Sequence, residues 1–192
     1  MSIRSSLIAT VILTSALPAL ADVFHDEAID GDLSNDRFMP TAYNLSEGTN
    51  SLIATSMQGD REFVALTIPA GLELSALIQV SYIGDDGVAF AAVQAGPQMT
   101  VDPDSFSAVG LLGWTHFGTF IFPDGSDILP AMGQGFDADG FTPPLPAGTY
   151  TFWLQQAGGI PSTYQLDFMV TPAPGATAVL GLGMFAAMRR RR

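Results

Sequence analysis

Asp26, Glu27, Asp30, Asp32, Asn35 and Asp36 fall within eleven residues near the start of the chain, with Gly31 supplying a turn among them. Calcium takes roughly six to eight oxygen ligands, commonly several carboxylates from one short flexible segment, and this stretch offers them. Its spacing is not that of an EF-hand, and a solvated acidic arm is the competing reading. Two later acidic turns, Asp124-Gly125-Ser126-Asp127 and Asp137-Ala138-Asp139-Gly140, could each hold an ion if a neighbouring loop completed the shell; such Asp-Gly strings more often serve as turns.

Catalytic parts are scarce. The histidines are His25 and His116, without the His-Glu-x-x-His spacing of a zinc protease. The chain has no Cys and no Lys, no Gly-x-Ser-x-Gly elbow and no phosphate loop, so covalent catalysis and nucleotide chemistry have no visible machinery. A carboxylate pair for glycoside hydrolysis stays open, since any two of the 19 acids could meet in the fold. Trp114, Phe117, Phe120, Phe122, Phe136, Phe141 and Trp153 crowd the later half. Alternation puts Trp153 opposite Phe152, which makes Trp153 the preferred exposed aromatic for stacking on a ligand such as a sugar ring.

These side chains need a scaffold, and the composition says which kind. The chain has 192 residues, 47% hydrophobic and 14% charged, with 20 Gly and 13 Pro, values that exclude disorder and a disulfide framework and favour many short elements. All 19 acids lie between Asp22 and Asp167, where Arg37 and Arg61 are the only basic residues, a net charge of −17 for that stretch. Such a surface repels phosphate backbones and anionic headgroups, which argues against nucleic acid as a partner and in favour of cations.

Period-two alternation predicts strands over Tyr150–Leu154 and Tyr164–Val170, over Phe63–Ile68 and over Leu72–Ile83, the last two joined as a hairpin by Pro69-Ala70-Gly71. Shorter strands are expected at Ser51–Ser56, Val88–Val93 and Phe117–Phe122. Residues 84–146, broken by seven prolines, are expected to carry long loops. With no convincing amphipathic helix, the fold class is all-β: an antiparallel two-sheet β-sandwich of jelly-roll type over residues 22–171.

Both ends read as addresses. Arg4, an apolar stretch from Leu7 to Leu17 and Ala19-Leu20-Ala21 make residues 1–21 a secretory signal peptide, an apolar helix cut after Ala21 by signal peptidase. Residues 172–192 combine Pro172-Ala173-Pro174, an apolar helix-forming run from Ala176 to Met188 and the block Arg189, Arg190, Arg191, Arg192. The run is short for a membrane span, though snorkelling arginines could stretch it to a thin one.

This tail resembles the PEP-CTERM sorting signal of Gram-negative bacteria, with Ala173 where that family usually has Glu. The resemblance implies transient insertion in the inner membrane, processing by an exosortase-like enzyme, and delivery to the outer surface or extracellular matrix, often with exopolysaccharide. Pro172, Pro174 and the four arginines would carry the sorting.

The body carries a second resemblance. Asn35-Asp36, Gly59-Asp60-Arg61-Glu62-Phe63, Ile68-Pro69-Ala70-Gly71, Pro146-Ala147-Gly148-Thr149-Tyr150 and Thr163-Tyr164-Gln165-Leu166 are similar in order to the bacterial pre-peptidase C-terminal domain. Asp32-Leu33-Ser34 departs from that family's Glu-Pro, and Glu62-Phe63 from its Asp-Tyr. The resemblance implies a β-sandwich with Asp32, Asn35, Asp36, Asp60 and Glu62 as calcium ligands, binding being most dependent on Asp36. The function expected is that of an exported, non-catalytic surface or matrix protein. The alternatives are a calcium-stabilised module that binds glycan or protein, and a secreted polysaccharide hydrolase using a carboxylate pair.

Overall fold

The computed structural model describes residues 21–175 except Asp85 and Ala157. The expected signal peptide up to Leu20, and the apolar run and arginines of the expected sorting tail (176–192), lie outside the described residues. In chain order the elements are β1 (Asp22–Asp26), α1 (Glu27–Asp30), β2 (Thr41–Asn44), β3 (Gly48–Ser56), β4 (Arg61–Ile68) and β5 (Leu72–Ile83). They continue with β6 (Ala89–Ala95), β7 (Gly113–Phe117), β8 (Ser126–Asp127), α2 (Leu129–Met132), β9 (Gly148–Gln156) and β10 (Ser162–Pro172).

The strands form two five-stranded sheets, ordered β1-β3-β10-β5-β8 and β2-β4-β9-β6-β7. Consecutive strands therefore often change sheet. The period-two faces meet between the sheets: Val64, Leu66 and Ile68 of β4 and Phe152 and Leu154 of β9 bury against Leu52 of β3 and Tyr164, Leu166, Phe168 and Val170 of β10. Edge-to-face rings lock the centre, with centroid separations of 5.2 Å for Phe152 and Phe168 and 5.2 Å for Phe117 and Tyr164.

The sandwich agrees with the alternation, and four details differ from expectation. First, β4 and β5 are not a hairpin. The turn at Pro69-Ala70-Gly71, closed by the Leu72 N–H donating to the Pro69 carbonyl with Gly71 at φ 84°, hands the chain from one sheet to the other. Both strands have a core-facing row, so a tight turn between sheets satisfies the same pattern as a turn within one. Second, the sheets are not wholly antiparallel: β1 runs parallel to β3, and β2 parallel to β4. Each pair is separated in sequence by chain that crosses to the opposite sheet, the long connection a parallel pair requires. Third, the strand expected at Phe117–Phe122 ends at Phe117; Gly118, at φ 112°, starts a turn whose carbonyl accepts from the N–H groups of Ile121 and Phe122.

The fourth difference concerns the outer face of the β4–β9–β6 layer. Phe63, Ala92 and Trp153 point outward there, yet they form a second core with Met99 and Leu111 from the β6–β7 connection. That connection is pinned by the Met99 N–H to the Arg37 carbonyl and the Leu112 N–H to the Val93 carbonyl. Trp153 is consequently only 7% exposed, and its indole N–H donates to Gln155. The alternation around Trp153 is correct, but the chain covers the face it points to.

Candidate metal centre

Glu62 shares the inner face of β4 with Val64 and Leu66, where apolar residues belong. It is fully buried, and its Oε2 accepts the Tyr164 hydroxyl from the facing sheet at 2.8 Å. Its other oxygen, Oε1, is buried with no hydrogen-bond partner. A buried carboxylate oxygen left so is costly and calls for a cation or a proton.

Two neighbours supply more carboxylate. Glu27 opens the one-turn helix α1, capped by Asp26, whose side chain accepts the Ala28 N–H. The turn lays Glu27 against β3, where its oxygens accept the Thr55 N–H at 2.6 Å and the Leu33 N–H at 3.4 Å. Asp32 precedes a stretch that bridges to β4 through the Phe63 N–H and the Ser34 carbonyl, 2.8 Å apart, which carries it beside Glu62. One oxygen each from Glu27, Asp32 and Glu62 lie within 4.8 Å of one another. Two oxygens on opposite sides of a calcium ion, each at about 2.4 Å, stand about 4.8 Å apart, so the spacing fits a shared ion.

The electrostatics agree. Burial, then the Glu27 charge, push the Glu62 carboxyl up to about 9, against the lowering effect of the Tyr164 hydrogen bond. Glu27 is also raised by burial, partly offset by its two backbone donors. Asp60 is raised by partial burial and by Asp32, and adds to the field at Glu62. With no cation bound, Glu62 holds a proton at neutral pH; a divalent ion can replace that proton and satisfy the lone oxygen.

Of the expected ligands, Asp32 and Glu62 come together and Asp60 stands close enough to act on both. Asp36 is not part of that group. Asp36 closes a local turn by accepting the Phe38 N–H at 2.9 Å, and Asn35 and Asp36 line a separate cleft that also holds Arg37 and Arg61, whose guanidiniums disfavour a metal ion. Glu27 takes the place expected of Asp36. The later acidic turns are structural where their partners are seen: Asp127 accepts the N–H groups of Leu77 and Leu129, and Asp124 accepts from Gln79. His25 is buried with Nδ1 2.8 Å from the Tyr43 hydroxyl, and His116 is exposed on β7.

No family model matches the chain, and no curated protein or solved structure matches it. Among the described residues no helix is long and apolar enough to cross a membrane.

Proposed function

We propose that the chain is an exported, non-catalytic jelly-roll module whose fold is fastened by a divalent cation, calcium by preference, and which serves at the cell surface or in extracellular polysaccharide. The strand orders β3-β10-β5-β8 and β4-β9-β6-β7, with β1 and β2 added at the edges, support the jelly-roll reading. The observation that carries the cation is the buried, partnerless Oε1 of Glu62 facing two further carboxylates. Glu27, Asp32 and Glu62 would hold the ion, and its chemistry there is charge neutralisation. A structural role is favoured over hydrolysis because Glu62 is fully buried, out of reach of a polysaccharide chain.

The test is thermal unfolding in chelator, then in millimolar calcium, with magnesium as control. A ligand of the folded state at a hundredfold excess over its dissociation constant adds about 2.7 kcal/mol. Glu27→Gln and Asp32→Asn are expected to abolish the rise, whereas Asp36→Ala leaves it intact. A midpoint indifferent to calcium in the unaltered protein would refute the cation.

Sorting through Pro172, Pro174 and Arg189–Arg192, with an exosortase-like enzyme as partner, belongs to the same proposal. A chain ending at Gly175 is expected to disappear from the surface fraction of the producing cells and accumulate elsewhere, as read by immunoblot. An unchanged distribution would remove the tail from the reading.

A further inference from the structure

We propose that a cleft on the outer face of the β6–β7–β9 layer binds an organic ammonium group, either a methylated ammonium or the protonated amine of an amino sugar. The cleft has a volume of about 330 Å³, at the small-ligand end of binding sites. Its floor is aromatic: Phe90 stacks on Trp114 at 5.8 Å and 28°, and lies 4.7 Å from Trp153. The Trp114 indole is fixed by donating to the Phe136 carbonyl at 2.8 Å. Gly135 permits that approach, since a Cβ there would stand 2.6 Å from the Trp114 ring.

Two phenylalanines stand at the rim, Phe106 fully exposed and Phe136 at 85% exposure. Exposure alone would mean little, but the backbone singles out the same place. Among the described residues, Phe106 at φ 52° and Asp137 at φ 63° are the only non-glycine positions with positive φ, and both line this cleft. A bulky residue held there costs free energy without adding core packing, which marks a site set up for contact with something else.

Charge selects the occupant. The polar lining includes the carboxylates of Asp102 and Asp137, no arginine lines the cleft, and the body carries −17. The Asp137 carboxylate has no hydrogen-bond or ion-pair partner among the described residues. Aromatic faces attract a cation through the ring quadrupole, and flanking carboxylates add to that attraction. His116 also lines the cleft, its ring 5.7 Å from Trp114 and 5.9 Å from Phe90, but two carboxylates against one imidazole weigh the site toward a cation. The cleft is separate from the Glu27, Asp32 and Glu62 group and does not depend on the cation proposal.

Both tryptophans of the protein line the cleft, so their fluorescence reports occupancy. The full-length protein, at constant calcium, is titrated with choline and its neutral isostere 3,3-dimethylbutanol, and with a glucosamine trimer and its neutral N-acetylated counterpart. At least one cationic member is expected to bind about tenfold tighter than its neutral partner, a difference of about 1.4 kcal/mol. Phe136→Ala, at an exposed position, should weaken it roughly 2- to 5-fold, the range of an exposed cation–π contact, and Asp137→Asn should weaken binding of the cationic member while leaving its neutral partner unchanged. The arm that responds tells methylated ammonium from amino sugar. Equal binding of a cation and its isostere, binding of neutral members alone, or no response to any probe up to its solubility limit would each overturn the proposal.

Discussion

In excess chelator the protein is expected to unfold roughly 5–10 °C lower at pH 8 than at pH 6, with calcium restoring the difference. The unfolded Glu62 carboxyl titrates near 4.5 and is ionised at both pH values, whereas the folded one is pushed up to about 9 and keeps its proton. Folding therefore takes up a proton between those limits, and stability falls as pH rises by about 1.4 kcal/mol per unit. Glu27 and Asp60, also raised by burial, add losses of the same sign. Two pH units on Glu62 cost about 2.7 kcal/mol, and each kcal/mol moves the midpoint of a domain this size by ~2–4 °C.

Calcium must displace that proton, so its apparent affinity should rise about tenfold per pH unit up to the Glu62 value. Glu62→Gln tests whether both effects come from this one group. The amide can still accept the Tyr164 hydroxyl and can donate toward Glu27, so the variant should lose both the pH slope and the calcium response while remaining folded at pH 8. A chelated protein whose midpoint is flat from pH 6 to 8 would show that Glu62 is ionised without metal, and the account of its environment would fail.

Phe168→Ala is expected to cost ~3–5 kcal/mol, read as a lower urea midpoint at unchanged slope. Phe168 is fully buried on β10, which lies between β3 and β5, and its ring meets Phe152 at 5.2 Å and Phe24 at 5.9 Å. The cavity would open between ring partners on two strands, Phe152 on β9 of the facing sheet and Phe24 on β1 of its own, both held in hydrogen-bonded ladders. Against a total stability of roughly 5–15 kcal/mol the loss is a large share. A cost below ~1 kcal/mol would mean that the core collapses onto the gap and that its packing is looser than described.

The alternation that predicts the strands also predicts Glu62, once its register is followed. Glu62 continues the row of Val64, Leu66 and Ile68, but it lies one residue before the strand predicted to start at Phe63, so its burial follows only once β4 is seen to begin at Arg61. Glu27 was legible only as one acid among several, because its position depends on a one-turn helix and on the Thr55 N–H of a strand 28 residues away. Asp36 carried the resemblance but is spent on its own turn. Trp153 shows the limit of alternation: period two says which face a side chain takes, and nothing in it says that a loop rich in proline and serine will lie across that face. The β4–β5 turn shows another, since Pro-Ala-Gly reads the same whether the chain stays in its sheet or leaves it.

The last strand does not stop before the proposed sorting motif. Pro172 is paired opposite Leu72, and the Ala173 N–H still donates to the Gly71 carbonyl at 2.8 Å. Between that bond and Ala176 lie two residues, which span roughly 7 Å when extended. Under the sorting proposal, a cut at Pro172-Ala173-Pro174 would require the end of β10 to peel away from β5, so a closed body would be a poorer substrate than an open one. If the tail is cut there as proposed, closure of the sandwich and the cut would compete for the same residues, and the order of the two would set how much of the protein is processed.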